Sequence, residues 1–219
     1  MQSKAISLTY FIDFIFKTGI PKQTVVKNAM NPKPYNPAQD HWKQLREGII
    51  NFHEEGKGSK EKSDLDWIVE HANVRNNKRA HYFKCIKNYK SWLGRKSIEW
   101  LPPVSNTLGN TDIKININPE IGLIENGNPI LIKFFFKELD YNLRKDRAGV
   151  ILAAMEAALR DKVNEKFPEY PHVRLGLLDI RNGNKGKLFE SGNIKVEDFN
   201  PLVKSELLGF NTIWKELMN

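Results

Sequence analysis

Residues 117–137 read INPEIGLIENGNPILIKFFFK. The apolar runs Leu123–Ile124 and Ile130–Phe136 flank Asn126–Gly127–Asn128–Pro129. Asn-Gly between such runs is hairpin chemistry, because these two residues tolerate the positive φ of a tight turn. Upstream, Ile113, Ile115 and Ile117 alternate with Lys114 and Asn116, the two-residue period of a half-buried strand, so a meander is expected here. Downstream, Arg144–Lys166 reads as a long helix, with Val150, Ala153, Ala154, Ala157 and Ala158 along one face for close packing on a sheet. Val173–Ile180 is a dense apolar strand, Asn182–Gly183–Asn184 turns the chain into Lys187–Phe189, and a last helix starts near Pro201. The order β-β-β-α-β-β-α over residues 104–219 predicts an α/β or α+β domain with a mixed-sheet core.

Working back toward the N-terminus, the period becomes helical. Residues 1–100 read as an all-helical, basic domain. Its helices are Ala5–Lys17, stopped by Gly19 and Pro21, and a short one over Pro21–Ala29. A third opens at Asn36–Pro37 and carries Trp42, Leu45, Ile49 and Phe52 at helical spacing. Asp64–Ala72 follows a cap at Ser63, and Asn77–Leu93 is the last. Ser97–Asn110, with Pro102, Pro103 and Gly109, is the expected boundary between the two domains.

With 40% apolar residues, the chain carries enough apolar side chains for a real core. No apolar run reaches the ~18 residues a spanning helix needs, so membrane insertion is not expected. Ala5–Phe16 is broken by Asp13 and lacks a small-residue cleavage site, so it reads as a buried helix rather than a leader. Cys85 is the sole cysteine, which excludes an intramolecular disulfide and points to the cytoplasm. There is no phosphate-binding glycine loop, no G-x-S-x-G and no G-x-G-x-x-G.

The formal charge of +8 is one-sided: residues 1–110 hold 18 Lys+Arg against 10 Asp+Glu, and residues 111–219 hold 16 of each. The surplus concentrates around one helix. Between His71 and Ile98 there is no acid, yet Arg75, Lys78, Arg79, Lys84, Lys87, Lys90, Arg95 and Lys96 all occur. Tyr82, Ile86, Tyr89 and Leu93 form its apolar stripe, leaving Lys84, Lys87 and Lys90 on a solvent side where they match successive phosphates. Tyr82, Tyr89 and Trp92 are the aromatics available to stack on unpaired bases if they are not core. His81 and Cys85 have metal-ligand spacing, but no second pair completes a site and a packed cysteine is the expectation.

On Pro119–Glu120, the Asn126–Gly127 turn and Lys133, the segment resembles the central hairpin of the PD-(D/E)XK nuclease-like superfamily, over about residues 110–189. The resemblance implies a restriction-endonuclease-like core in which two carboxylates hold Mg²⁺ or Mn²⁺ on the scissile phosphate and a lysine orients the attacking water. Glu120 takes the place of the first acid, as catalytic and metal-binding residue, and Lys133 that of the lysine. The acid due two residues before Lys133 is replaced by Leu131; shifting the register to Lys137 puts Phe135 there instead. Either a carboxylate has migrated, from Asp112 or Glu156, or there is no metal site. Three functions follow: a metal-dependent nuclease, a non-catalytic protein that binds nucleic acid (DNA rather than RNA), or an interaction factor that meets a protein partner or a second copy through Trp42, Trp92 or Phe134–Phe136.

Overall fold

The computed structural model describes residues 4–32, 40–56, 64–72, 74, 76–109, 113–137 and 143–218. The chain opens with strand β1 (Lys4–Ser7) and continues into α1 (Leu8–Ile15) and α2 (Ile20–Met30). Helices α3 (Lys43–Gly56), α4 (Asp64–His71) and α5 (Asn76–Leu93) follow. Next come β2 (Ile98–Leu101), β3 (Asn106–Leu108), β4 (Ile113–Ile117), β5 (Ile121–Glu125) and β6 (Asn128–Phe135). Helix α6 (Lys145–Lys166), β7 (Arg174–Asp179), β8 (Lys187–Glu190), a 3-10 turn (Val196–Phe199) and α7 (Asn200–Met218) complete the order. Mixed sheets and helices among the described residues make this an α+β architecture.

Two sequence expectations change. The N-terminal region is not all-helical, because Lys4–Ser7 pairs in parallel with β4, Ile6 facing Ile115. Only Ile6 of its central residues is buried, between exposed Ala5 and Ser7, and so short an alternation is hidden by the apolar helix behind it. The supposed boundary Ser97–Asn110 contains β2 and β3, with Pro102 and Pro103 falling between the strands, where no ladder bond is lost. Asn36, Pro37 and Ser63, the expected caps, lie outside the described residues.

The Asn126–Gly127 turn forms as predicted, with φ of 50° and 81°, and sets Glu125 opposite Asn128 and Ile121 opposite Ile132. The larger sheet runs β2-β5-β6-β7-β8, and only the β6–β7 pair within it is parallel. Helix α6 supplies the long crossover that such a pair requires. A second sheet runs β1-β4-β3, so β4 does not continue the meander into β5.

Alternation along β6 divides the interior. Leu131 and Phe135 join one apolar cluster with Leu175, Leu177, α6, α7 and the small sheet. Ile130, Ile132 and Phe134 join another with Leu178, Ile180 and helices α3–α5. The central sheet is thereby covered on both faces, and the basic helix α5 lies against one of them. Its stripe of Tyr82, Cys85, Ile86, Tyr89 and Leu93 is buried, and burial pushes the Cys85 thiol up to about 12, so it stays protonated.

Under that stripe, buried His53 shares a 2.5 Å hydrogen bond with the Tyr89 hydroxyl. Burial lowers its pKa from 6.5 to about 4, so the folded state holds it neutral. Between those values the unfolded chain binds more protons than the folded one, and stability therefore rises with pH. The contribution is complete above the unfolded value and is lost as pH falls toward the folded one, in all about 3 kcal/mol. Urea unfolding from neutral pH down to about 4.5 tests this: the parent should lose stability across the window, and His53→Gln should lose clearly less of it.

Candidate nucleic-acid interface and the Glu120–Lys133 pair

Helix α5 is fixed in rotation by Asn88, which is buried although its neighbour Lys87 is exposed. The Asn88 amide donates to Ile180 O at 3.1 Å, and Asn88 O accepts from Gly186 N at 3.0 Å. These bonds tie α5 to the β7–β8 connection and turn Ala80, Phe83, Lys84, Lys87 and Ser91 to solvent. A face of about 100° results, consistent with 3.6 residues per turn.

The eight basic residues separate by what they touch. Arg79 donates to the carbonyls of Val69, Glu70 and Ala72 at 3.1, 2.8 and 3.2 Å, capping α4. Lys78 donates to Asp40 O at 3.3 Å. Lys90 pairs with Asp66 at 2.7 Å, so it leans back onto α4 rather than extending the solvent row. Lys96 pairs with Glu125 at 2.8 Å and lies over the Trp92 ring at 4.1 Å. Arg75 is outside the described residues. Lys84, Lys87 and Arg95 are exposed and make no ion pair among the described residues.

The aromatics divide differently from the sequence reading. Tyr82 and Tyr89 are buried, and Trp92 is half-buried, so none of these offers an open ring face like that of a surface aromatic. Phe134 and Phe135 are core, and Phe136 stacks on Trp42 with centroids 4.9 Å apart, so Phe134–Phe136 presents no apolar patch. Among the described residues the exposed Phe, Tyr and Trp rings are Phe83 on α5 and Trp67 on α4. Phe83 could have been found in the sequence: it falls outside the Tyr82–Leu93 stripe, on the side of Lys84 and Lys87. His81, considered with Cys85, turns its ring to His41 at 3.3 Å instead.

At the hairpin, Glu120 and Lys133 do converge. Glu120 N donates to Ile132 O at 2.9 Å, which continues the β5–β6 ladder one residue beyond β5. One Glu120 carboxylate oxygen pairs with Lys133 Nζ, and the other accepts from Phe134 N at 2.7 Å. Lys133 Nζ also donates to Asn118 O at 3.0 Å. With side-chain exposures of 16% for Lys133 and 10% for Glu120, the pair is largely withdrawn from water. Both carboxylate oxygens therefore hold the hairpin together.

The residues proposed to complete a metal site are placed elsewhere or not described. Leu131 is buried in the α6-facing core. Glu156 is gripped by Arg160 through bonds of 2.8 and 2.7 Å and lines a cleft with Leu108, Asn200 and Lys204, sharing no partner with Glu120. Asp112 lies outside the described residues. Among the described residues no three His, Cys, Asp or Glu side chains gather around one point. Asp179 has its carboxylate turned onto its own loop, accepting from Arg181 N and Asn182 N at 3.1 and 3.0 Å. Burial raises its pKa.

If Glu120–Lys133 is a structural clamp, Lys133→Met should cost about 1–3 kcal/mol by leaving a desolvated carboxylate short of a partner, and Glu120→Gln/Lys133→Met should recover part of that loss. Urea unfolding of the single and double variants measures both. A Lys133→Met protein as stable as the parent would mean that the lysine serves something other than the hairpin. No family model matches the chain, and no curated protein matches it in sequence.

Proposed function

We propose that this protein binds nucleic acid through the exposed face of α5 and does not cut it. One observation carries the reading: Lys84 and Lys87 project from a helix whose opposite face is locked in the core, Arg95 stands exposed in the turn just after that helix, and none of the three has an ion-pair partner among the described residues. Cations held on a rigid element can displace condensed counterions without first breaking internal bonds. DNA remains the expected ligand over RNA, and a cytoplasmic setting suits the reduced, buried Cys85.

The second reading, a Mg²⁺- or Mn²⁺-dependent nuclease with a restriction-endonuclease-like core, is favoured by the meeting of Glu120 with Lys133 across the hairpin. It is weakened by the occupation of both Glu120 oxygens and by apolar Leu131 at the second acid position. Among the described residues no helix is long and apolar enough to cross a membrane.

Binding and cleavage of labelled DNA and RNA, with Mn²⁺, Mg²⁺ or chelator across a salt series, separate the readings. Three phosphate contacts predict a slope of log K against log salt between about −2 and −3. Changing Lys84, Lys87 and Arg95 together to Glu should weaken binding on the order of a hundredfold at moderate salt. Unchanged affinity in a folded triple variant would remove α5 from the interface. Metal-dependent cutting that disappears in Glu120→Ala and Lys133→Ala would replace the binding reading with the nuclease one.

A further inference from the structure

The exposed aromatics say what form of nucleic acid the surface suits. Phe83 is 61% exposed and Trp67 60%, a costly display of large apolar rings on two adjacent helices. Phe83 stands on α5 immediately before Lys84 and one turn before Lys87, so ring and cations share one face. On α4, Trp67 is stacked on one side by His71, with centroids 4.4 Å apart and planes 17° apart. That contact fixes the indole plane while its exposure leaves ring surface open. Between the helices lies an open cleft of about 560 Å³ lined by Asp66, Val69, Glu70, Phe83, Lys87 and Lys90.

The charges in this cleft are ordered. Asp66 is neutralised by Lys90 at 2.7 Å, whereas Glu70 is exposed near the end of α4 and lines the same cleft as Phe83 and Lys87. A phosphate is drawn to the lysine side and repelled from Glu70. A base, by contrast, can stack on Phe83 and present amino or imino hydrogens to the Glu70 carboxylate, an acceptor only.

From this juxtaposition we propose that the ligand is an unpaired strand, its phosphates following Lys84, Lys87 and Arg95, with one base turned into the α4–α5 cleft against Phe83 and another on the exposed ring of Trp67, which lies on α4 outside the cleft lining. The inference rests on α5 being the nucleic-acid face. Paired bases have their faces buried in the duplex and cannot use these rings, so single strands should be preferred at equal charge.

The test uses the full chain and a labelled single-stranded DNA of roughly a dozen nucleotides, beside the same sequence as a duplex. Each of Phe83→Ala and Trp67→Ala, both surface changes, should lower single-strand affinity at least about fivefold and leave duplex affinity unchanged. Single-strand affinity unaffected by either change, but abolished by Lys84→Glu/Lys87→Glu/Arg95→Glu, would overturn the stacking proposal and leave the binding function standing. Absence of binding to either DNA at low salt would overturn both, and would leave Phe83 and Trp67 as a protein-docking surface. Equal losses on single strand and duplex would also overturn it, because stacking on splayed bases cannot act on a closed duplex.

Discussion

Asn88 lies almost fully buried on a helix that shows lysine one residue earlier. Its amide reaches Ile180 O, and its backbone carbonyl receives the N–H of Gly186. The approach is so close that a Cβ on Gly186 would stand 2.7 Å from Asn88 O and 2.8 Å from the Trp92 Cβ. Neither contact can relax by moving the end of a flexible side chain. The helix is therefore held in rotation as well as in position, and rotation decides which residues meet solvent. A turn of one residue would carry Phe83 or Lys84 toward the sheet, where an unpaired ammonium is costly. The solvent-facing surface of α5 is thus a consequence of a polar contact on the other side of the helix.

The same economy of space explains the hairpin. Strand β6 is central and covered on both faces, so every side chain on it except Lys133 is committed to one of two cores between Ile130 and Phe135. A carboxylate at Leu131 would enter the α6-facing core, at a cost of several kcal/mol unless a cation or several donors met it there. Gly122, opposite Leu131, leaves no such room: a Cβ on it would fall 2.2 Å from Leu101 O and 2.9 Å from a Leu131 methyl. Packing around Leu131 is therefore of a kind that an acid could not join by simple substitution. Lys133 escapes only because it lies toward the strand end, where Glu120 and Asn118 O receive its ammonium.

Much of this was readable from residue order. The Asn126–Gly127 hairpin, the helix over Arg144–Lys166, the strand over Val173–Ile180 and the core stripe Tyr82–Leu93 each follow from a local period or turn signal. What escaped is what depends on distant partners. Strand β1 is four residues long and is defined by pairing with β4, more than a hundred positions away. Strands β2 and β3 sit among prolines, whose local signal is that of a loop. Asn88 and His53 read as ordinary polar helix residues until the β7–β8 connection and Tyr89 close over them.

The basic helix shows the limit most clearly, since sequence counts charge without saying what each charge is already bound to. Of the residues that make His71–Ile98 so cationic, Lys78, Arg79, Lys90 and Lys96 hold neighbouring backbone or carboxylates in place. Arg79 is the strongest case, because its guanidinium satisfies carbonyls at the end of α4 that would otherwise lack donors. Lys84, Lys87 and Arg95 are exposed and make no ion pair among the described residues. Few phosphate contacts give only modest electrostatic affinity and a shallow salt dependence. A surface of that kind gains from a second source of binding free energy, and rings on the same face can supply one per stacked base. In the proposed interface, cations spent on folding and aromatics left exposed are therefore linked: the fewer the free charges, the more binding would depend on Phe83 and Trp67.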